Sequence, residues 1–199
     1  MSEQARSTLG RPARRREIVD TARAIAAEQG WAAVTVRAVA GRIGCSAPAI
    51  YQYFRDKDAV LDALAAEGHA LLASALEDAA VQRSGTAKKL RAMIKALWSF
   101  SLSNRELYAV MFGLDGLAAH RGVSPGGVAP ATLVRASAEF LAKRHQDDAA
   151  QDVAEQLFAT AHGFICLVQA GDFLGGSDRA FDLLSRTLDI VLKNIGRHS

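Results

Sequence analysis

The stretch "TVRAVAGRIGCSAPAIYQYF", Thr35 to Phe54, decides how this chain is read. Its first half is periodic: Val36, Val39, Ala40 and Ile43 fall on one face of a helix. Thr35 is a residue of N-cap type, and Gly44 a residue at which helices end. Ser46 then opens a second, very short helix. Pro48 is tolerated in its first turn, where no intrahelical donor is needed. The second half also carries Tyr51, Tyr53 and Phe54 close to a run of charges, more aromatic than a plain solvated surface and more charged than a core segment.

Outward from this stretch the pattern stays helical. Upstream, "ARRREIVDTARAIAAEQG" repeats Ile18, Ala22, Ile25 and Ala26 at helical spacing and stops at Gly30. Downstream, Asp56 caps a long helix reaching about Ser84, apolar at Val60, Leu61, Leu64, Leu71, Leu72 and Leu76. "AKKLRAMIKALWSFSLS" and "RELYAVMFG" continue it, and "GLDGLAAHRGVSPGG" reads as a glycine-rich, mobile loop. Three helices close the chain, at about 128–145, 148–170 and 178–195, with no strand pattern and no internal repeat. The expected fold is all-α: a three-helix head over residues 1–60 and a larger helical body over residues 61–199, joined by one long helix.

Composition narrows the function. No uninterrupted apolar run of about 18 residues marks a membrane span, and the first residues lack the apolar core of a secretory signal. The two cysteines, Cys45 and Cys166, lie far apart and suit a reducing cytosol better than a disulfide scaffold. The expected location is cytoplasmic. Net charge is +3, but residues 1–60 hold ten Lys/Arg against six Asp/Glu, and the remainder fourteen against fifteen. The basic excess therefore sits in the head and points to an anionic partner.

Two short helices around a glycine-bearing turn fit a helix-turn-helix, whose second helix enters the DNA major groove while the first crosses the backbone. The residues suit that task. Ala47, Pro48 and Ala49 are small enough to approach base edges and thymine methyls, and Gln52 can pair with adenine. Tyr51 and Tyr53 carry hydroxyls for phosphate oxygens, and Lys57 lies beside a helix N-terminus that already favours an anion. Phe54 packs the head together. Arg14, Arg15 and Arg16 fit either a solvated face or an arm that reaches DNA.

The segment from Ile18 to Leu61 resembles the DNA-binding head of TetR-type transcriptional regulators. The resemblance is carried by the Ile18/Ala22 helix, by "GWAAVTVRAVAGRIGCS" and by "IYQYFRDKDAVL". It implies DNA contacts from Thr35 and Arg37 on the second helix, from Ser46, Ala47, Pro48, Ala49, Tyr51, Gln52 and Tyr53 on the third, and a phosphate held by Lys57. Members of that family often have glycine or a polar residue where Pro48 and Ala49 stand. In the body, "LYAVMFGL" and "ATAHGFICLVQAG" resemble a subgroup with a Trp-His-Gly signature, of which Ala161-His162-Gly163 keeps the His-Gly.

The resemblance implies a body that binds a small effector and dimerises. Trp98, Leu102, Met111, Phe112, Phe140 and Phe158, with His162 as a polar member, either line a ligand cavity or fill the core. Leu157, Ala161, Phe164 and Val168, then Phe181, Leu184, Leu188 and Val191, form stripes on the last two helices. With a two-fold partner these stripes would build a four-helix bundle. A homodimer in turn matches a palindromic operator, with half-sites about 34–36 Å apart or a multiple of it. The resulting expectation is a regulator, a repressor released from double-stranded DNA by an apolar or amphipathic small molecule, with a DNA-binding protein without an effector as the alternative.

An enzyme is the other class to weigh. "GVSPG", Gly122 to Gly126, matches G-x-S-x-G, but a nucleophile elbow needs a strand before it and a helix after it. No H-E-x-x-H, P-loop or dinucleotide fingerprint is present, and the five histidines are scattered. No catalytic residue, metal ligand or cofactor is expected.

Overall fold

Helix ends in this chain are set by a few cap residues. A computed structural model describes residues 10–81, 85–114, 116–117, 129–142 and 149–195. Among the described residues all regular structure is helical, as expected: α1 Arg11–Gln29, a single 3₁₀ turn Trp31–Ala33, α2 Val36–Ile43, α3 Ala47–Tyr51, α4 Lys57–Val81, α5 Thr86–Ser103, α6 Arg105–Phe112, α7 Ala131–Ala142, α8 Ala150–Ala170 and α9 Gly176–Asn194. Thr35 Oγ1 accepts the Ala38 N–H at 3.0 Å, and Asp56 Oδ1 accepts the Ala59 N–H at 2.8 Å. Each satisfies one of the donors that a helix start leaves open. Gly44 ends α2 in the left-handed region, at φ 71, where a side chain is strained. Ser46 does occupy the N-cap of α3, but its side chain makes no capping bond. Within the glycine-rich loop expected at 113–127, residues 115 and 118–127 lie outside the described residues, and the GVSPG stretch with them.

Two compact units emerge: residues up to Gly68 with Glu106–Gly122, and His69–Arg105 with Val123–Ser199. The expected border at residue 60 falls earlier than this, for a packing reason. In the first unit, Ile18, Ala22 and Ile25 of α1, Val39 and Ile43 of α2, Ile50 and Phe54 form the head's core. Leu61, Leu64 and Ala65 on the first turns of α4 are buried with the same unit. Gly68 then lets α6 come close: a Cβ there would run into the Met111 side chain and crowd Leu107. Leu107 to Met111 are completely buried.

The second unit buries Leu72 and Leu76 of α4, Leu90, Ile94 and Leu97 of α5, Phe140 of α7, Leu157, Phe158 and Ile165 of α8, and Leu184, Leu188 and Leu192 of α9. A buried polar contact ties α8 to the end of α5: Gln169 Nε2 donates to the Ser101 carbonyl at 3.0 Å. Arg105 Nη2 donates to the Gln169 carbonyl at 2.7 Å. By length and composition α4 is apolar enough to cross a membrane, yet Leu61, Leu64, Leu72 and Leu76 are at most 2 % exposed and serve as core, while Leu71 and Val81 are exposed.

Gly68 and Gly41 make opposite predictions. Glycine inside a helix costs about 1 kcal/mol relative to alanine. Gly41 has open space around it, so Gly41→Ala is expected to raise stability by up to about 1 kcal/mol. Gly68→Val should lower it by about 1–3 kcal/mol through overpacking against the enclosed Met111. Urea titrations of the two variants check both signs.

Candidate nucleic-acid interface

Five residues are too few for a helix to be stable alone in water, so α3 must be held by its surroundings. Ile50 is 1 % exposed and anchors its inner side, while Phe54, just beyond its end, is 2 % exposed. Tyr51 is 54 % exposed and Gln52 lies beside it on the outside. None of Thr35, Arg37, Ser46, Ala47, Pro48, Ala49, Tyr51, Gln52, Tyr53 and Lys57 is buried. Thr35 also caps α2. Arg37 is exposed, and no ion pair engages it among the described residues. Lys57 has a structural bond of its own: its Nζ donates to the Trp31 carbonyl at 3.1 Å, which leaves two N–H donors for another acceptor.

The arginines of α1 supply what sequence reasoning missed. Arg15 Nη1 donates to the Tyr53 carbonyl at 3.0 Å, and its guanidinium lies 4.0 Å from the centre of the Phe54 ring. One turn earlier, Arg11 Nη2 reaches the Gln52 carbonyl at 3.4 Å. The carbonyls at a helix end have no partner of their own and carry partial negative charge, so these two cations cap α3 from outside. Arg14 pairs with Glu17 at 2.7 Å, and Arg16 with Asp20 at 2.9 Å and Glu67 at 3.0 Å. The arginine run thus braces the head internally. The available signal was the four-residue spacing of Arg11 and Arg15, which places them on one face of α1.

The residues expected around a ligand are divided. Trp98, Leu102, Phe140, Phe158 and His162 belong to the second unit, Met111 and Phe112 to the first. Phe140 and Phe158 are core, Trp98 is buried, and Leu102 is exposed. His162 stacks on Phe158, ring centres 5.6 Å apart, with Cys166 Sγ 3.4 Å from its Nε2. Burial pushes the His162 imidazole below its ordinary pKa, towards the neutral form. Two clefts in the second unit have other linings. One, of about 400 Å³, lies between α5 and α9; the other, of about 330 Å³, lies among α4, α5 and α7.

The expected dimer stripes divide by burial. Leu157, Ala161, Leu184 and Leu188 are buried in the chain's own core and are not available to a partner. Phe164, Val168, Phe181 and Val191 are half-buried. The apolar residues that α8 and α9 leave outside are Leu167 and Ile190, 48 % and 61 % exposed. Periodicity identified an apolar stripe correctly and could not say which neighbour covers it.

Because Arg15 adds a hydrogen bond and a cation–π contact to α3, Arg15→Ala is expected to cost about 1–2 kcal/mol, with Arg15→Lys intermediate. Hydrogen exchange should show the loss first at the Tyr53 and Phe54 amides, both bonded to the Ile50 carbonyl.

Both parts of the chain have counterparts among known proteins. Residues 18–64 match the model of "Bacterial regulatory proteins, tetR family". Residues 90–190, just over half of the chain, match "Tetracyclin repressor-like, C-terminal domain". The HTH-type transcriptional repressor Rv1474c of Mycobacterium tuberculosis is 43 % identical over 84 residues, 42 % of each chain; the chain thus spans about two-fifths of that curated relative's length. A structure from Rhodococcus sp. RHA1, of a protein of unknown function, is 29 % identical with a TM-score of 0.73, covering 90 % of this chain and 94 % of the other. A TetR variant from Acinetobacter baumannii in complex with minocycline is 21 % identical with a TM-score of 0.66, covering 90 % of this chain and 94 % of that one, and shows the shared fold. On its helix-turn-helix head and its C-terminal body, the chain belongs to the tetR family of regulatory proteins, which are not enzymes.

Proposed function

We propose that the protein is a cytoplasmic, homodimeric repressor that binds a palindromic DNA operator and is released from it by a small effector. One observation carries the DNA reading. α3 presents Tyr51 and Gln52 outward while Ile50 and Phe54 anchor it inward and Arg11 and Arg15 hold its end, so a preformed helix faces solvent from the basic part of the chain. Phosphate contacts from Tyr51, Tyr53 and the free donors of Lys57 would set its register. Gln52 and the small residues Ala47, Pro48 and Ala49 would read base edges.

Two further parts complete the proposal. Leu167 and Ile190 give α8 and α9 an exposed apolar surface, which supports a two-fold partner there. The two clefts of the body, of about 400 and 330 Å³, support an effector site, as does the minocycline held by a protein of the same fold. α4 contributes residues to both units and is the natural element for an effector to act on. To move a two-state balance from 1:99 to 99:1, an effector must discriminate between the states by about 5.5 kcal/mol.

Binding to a genome-selected palindromic duplex should weaken with salt, with a log–log slope of about −0.9 per phosphate neutralised. Tyr51→Phe should weaken specific and unrelated DNA alike, by about 1 kcal/mol. Fluorescence anisotropy at several salt concentrations measures both, and a genomic selection that enriches no palindrome would overturn the reading.

The assembly prediction separates surface from core. Ile190→Glu is expected to give a folded monomer at micromolar concentration, by light scattering and circular dichroism. Leu188→Glu, which buries a charge, is expected instead to unfold the body.

A further inference from the structure

The cleft of about 400 Å³ between α5 and α9 is lined by apolar side chains that include Phe181 and Leu188, and by four charged ones, the cations Lys88, Arg91 and Lys95 and the carboxylate of Asp189. These three cations recur at helical spacing along one stripe of α5. Like charges at such spacing repel and weaken a helix unless an anion offsets them. Arg91 is already matched, its Nε 2.7 Å from Asp189 Oδ1. Lys88 and Lys95 are exposed, and no ion pair engages either among the described residues. Two uncompensated positive charges therefore border a small hydrophobic hollow. Phe181 extends its floor inward, its ring 5.5 Å from that of Trp98.

The geometry points to this cleft as a binding site for an amphipathic organic anion, a carboxylate carrying an apolar body. The anionic group sits between Lys88 and Lys95, and the apolar part lies against Phe181 and Leu188. The chemistry excludes the simpler classes. An inorganic anion gains nothing from the floor, a neutral hydrocarbon nothing from the lysines, and an organic cation is repelled. The volume suits a small molecule, since ligand pockets run from about 300 to 1,000 Å³. Helical geometry also separates the cleft from the surface assigned to the two-fold partner. At about 100° per residue, Phe181, Ser185 and Asp189 lie along one edge of α9, and Ile190 falls towards the opposite edge. The inference extends the effector reading by naming a ligand class, but the site is defined by its own residues and not by DNA release.

The test is calorimetric titration of the full-length protein, without DNA, using three probes: decanoate, decyltrimethylammonium and sulfate. Decanoate below its micellar concentration is expected to bind once per chain, and the other two not measurably. The double variant K88E/K95E should weaken decanoate at least tenfold and gain affinity for decyltrimethylammonium. Both substitutions lie on the surface, and circular dichroism verifies the fold. Phe181→Ala should weaken decanoate without reversing this charge preference. Decanoate binding that is absent, or that is unchanged in K88E/K95E, overturns the assignment. Operator binding by the ligand-free protein is measured separately, so a failure of the repressor reading is seen there and leaves the titration interpretable.

Discussion

Arg15 lies across the end of α3, and the position of that short helix depends on the contact. A helix of five residues has almost no internal hydrogen bonding to hold it. The guanidinium accepts that role from α1: it donates to the Tyr53 carbonyl and covers Phe54, whose side chain is in turn part of the head's core. One cation thus couples the outward-facing end of α3 to the packed interior. Arg11 repeats the contact one turn earlier, on the Gln52 carbonyl. Part of the positive charge of the basic head is in this way used in its own structure.

The same economy appears elsewhere in the first unit. Lys57 is of the right type to hold a phosphate, yet it also ties the start of α4 to the Trp31 carbonyl. Thr35 stands at the start of α2 and fixes that start through Ala38. Residues that face DNA in the proposed complex therefore already have defined positions without it, which lowers the ordering cost of binding. Arg37 differs: it is exposed with no ion pair among the described residues, so it would be ordered only on contact.

In the second unit, burial decides what each apolar residue can do. Phe140, Phe158 and Leu157 are enclosed, so they shape the body's core. Leu167 and Ile190 are outside it and are free for another chain. Phe181, half-buried, and Leu188, otherwise part of that core, also border a cleft lined by Lys88, Arg91 and Lys95. Gln169 is polar and nearly enclosed, and its bond to the Ser101 carbonyl accounts for its place there.

By itself the sequence determined the helices, because their signals are local. Thr35, Gly44 and Asp56 act on the backbone within a few residues of themselves, and the 3.6-residue period of Ile18, Ala22 and Ile25 marks a buried face whatever lies opposite. The helix-turn-helix was legible for the same reason, since its spacing is contained in one short stretch. Only the tertiary structure decided the partners. Whether Leu188 faces its own chain or another, whether Arg15 faces solvent or a carbonyl 38 residues away, and whether α6 packs with the head through Gly68 and Met111 all depend on segments far apart in the chain. Periodicity tells which side of a helix is apolar; what covers that side is fixed by the packing of the whole unit.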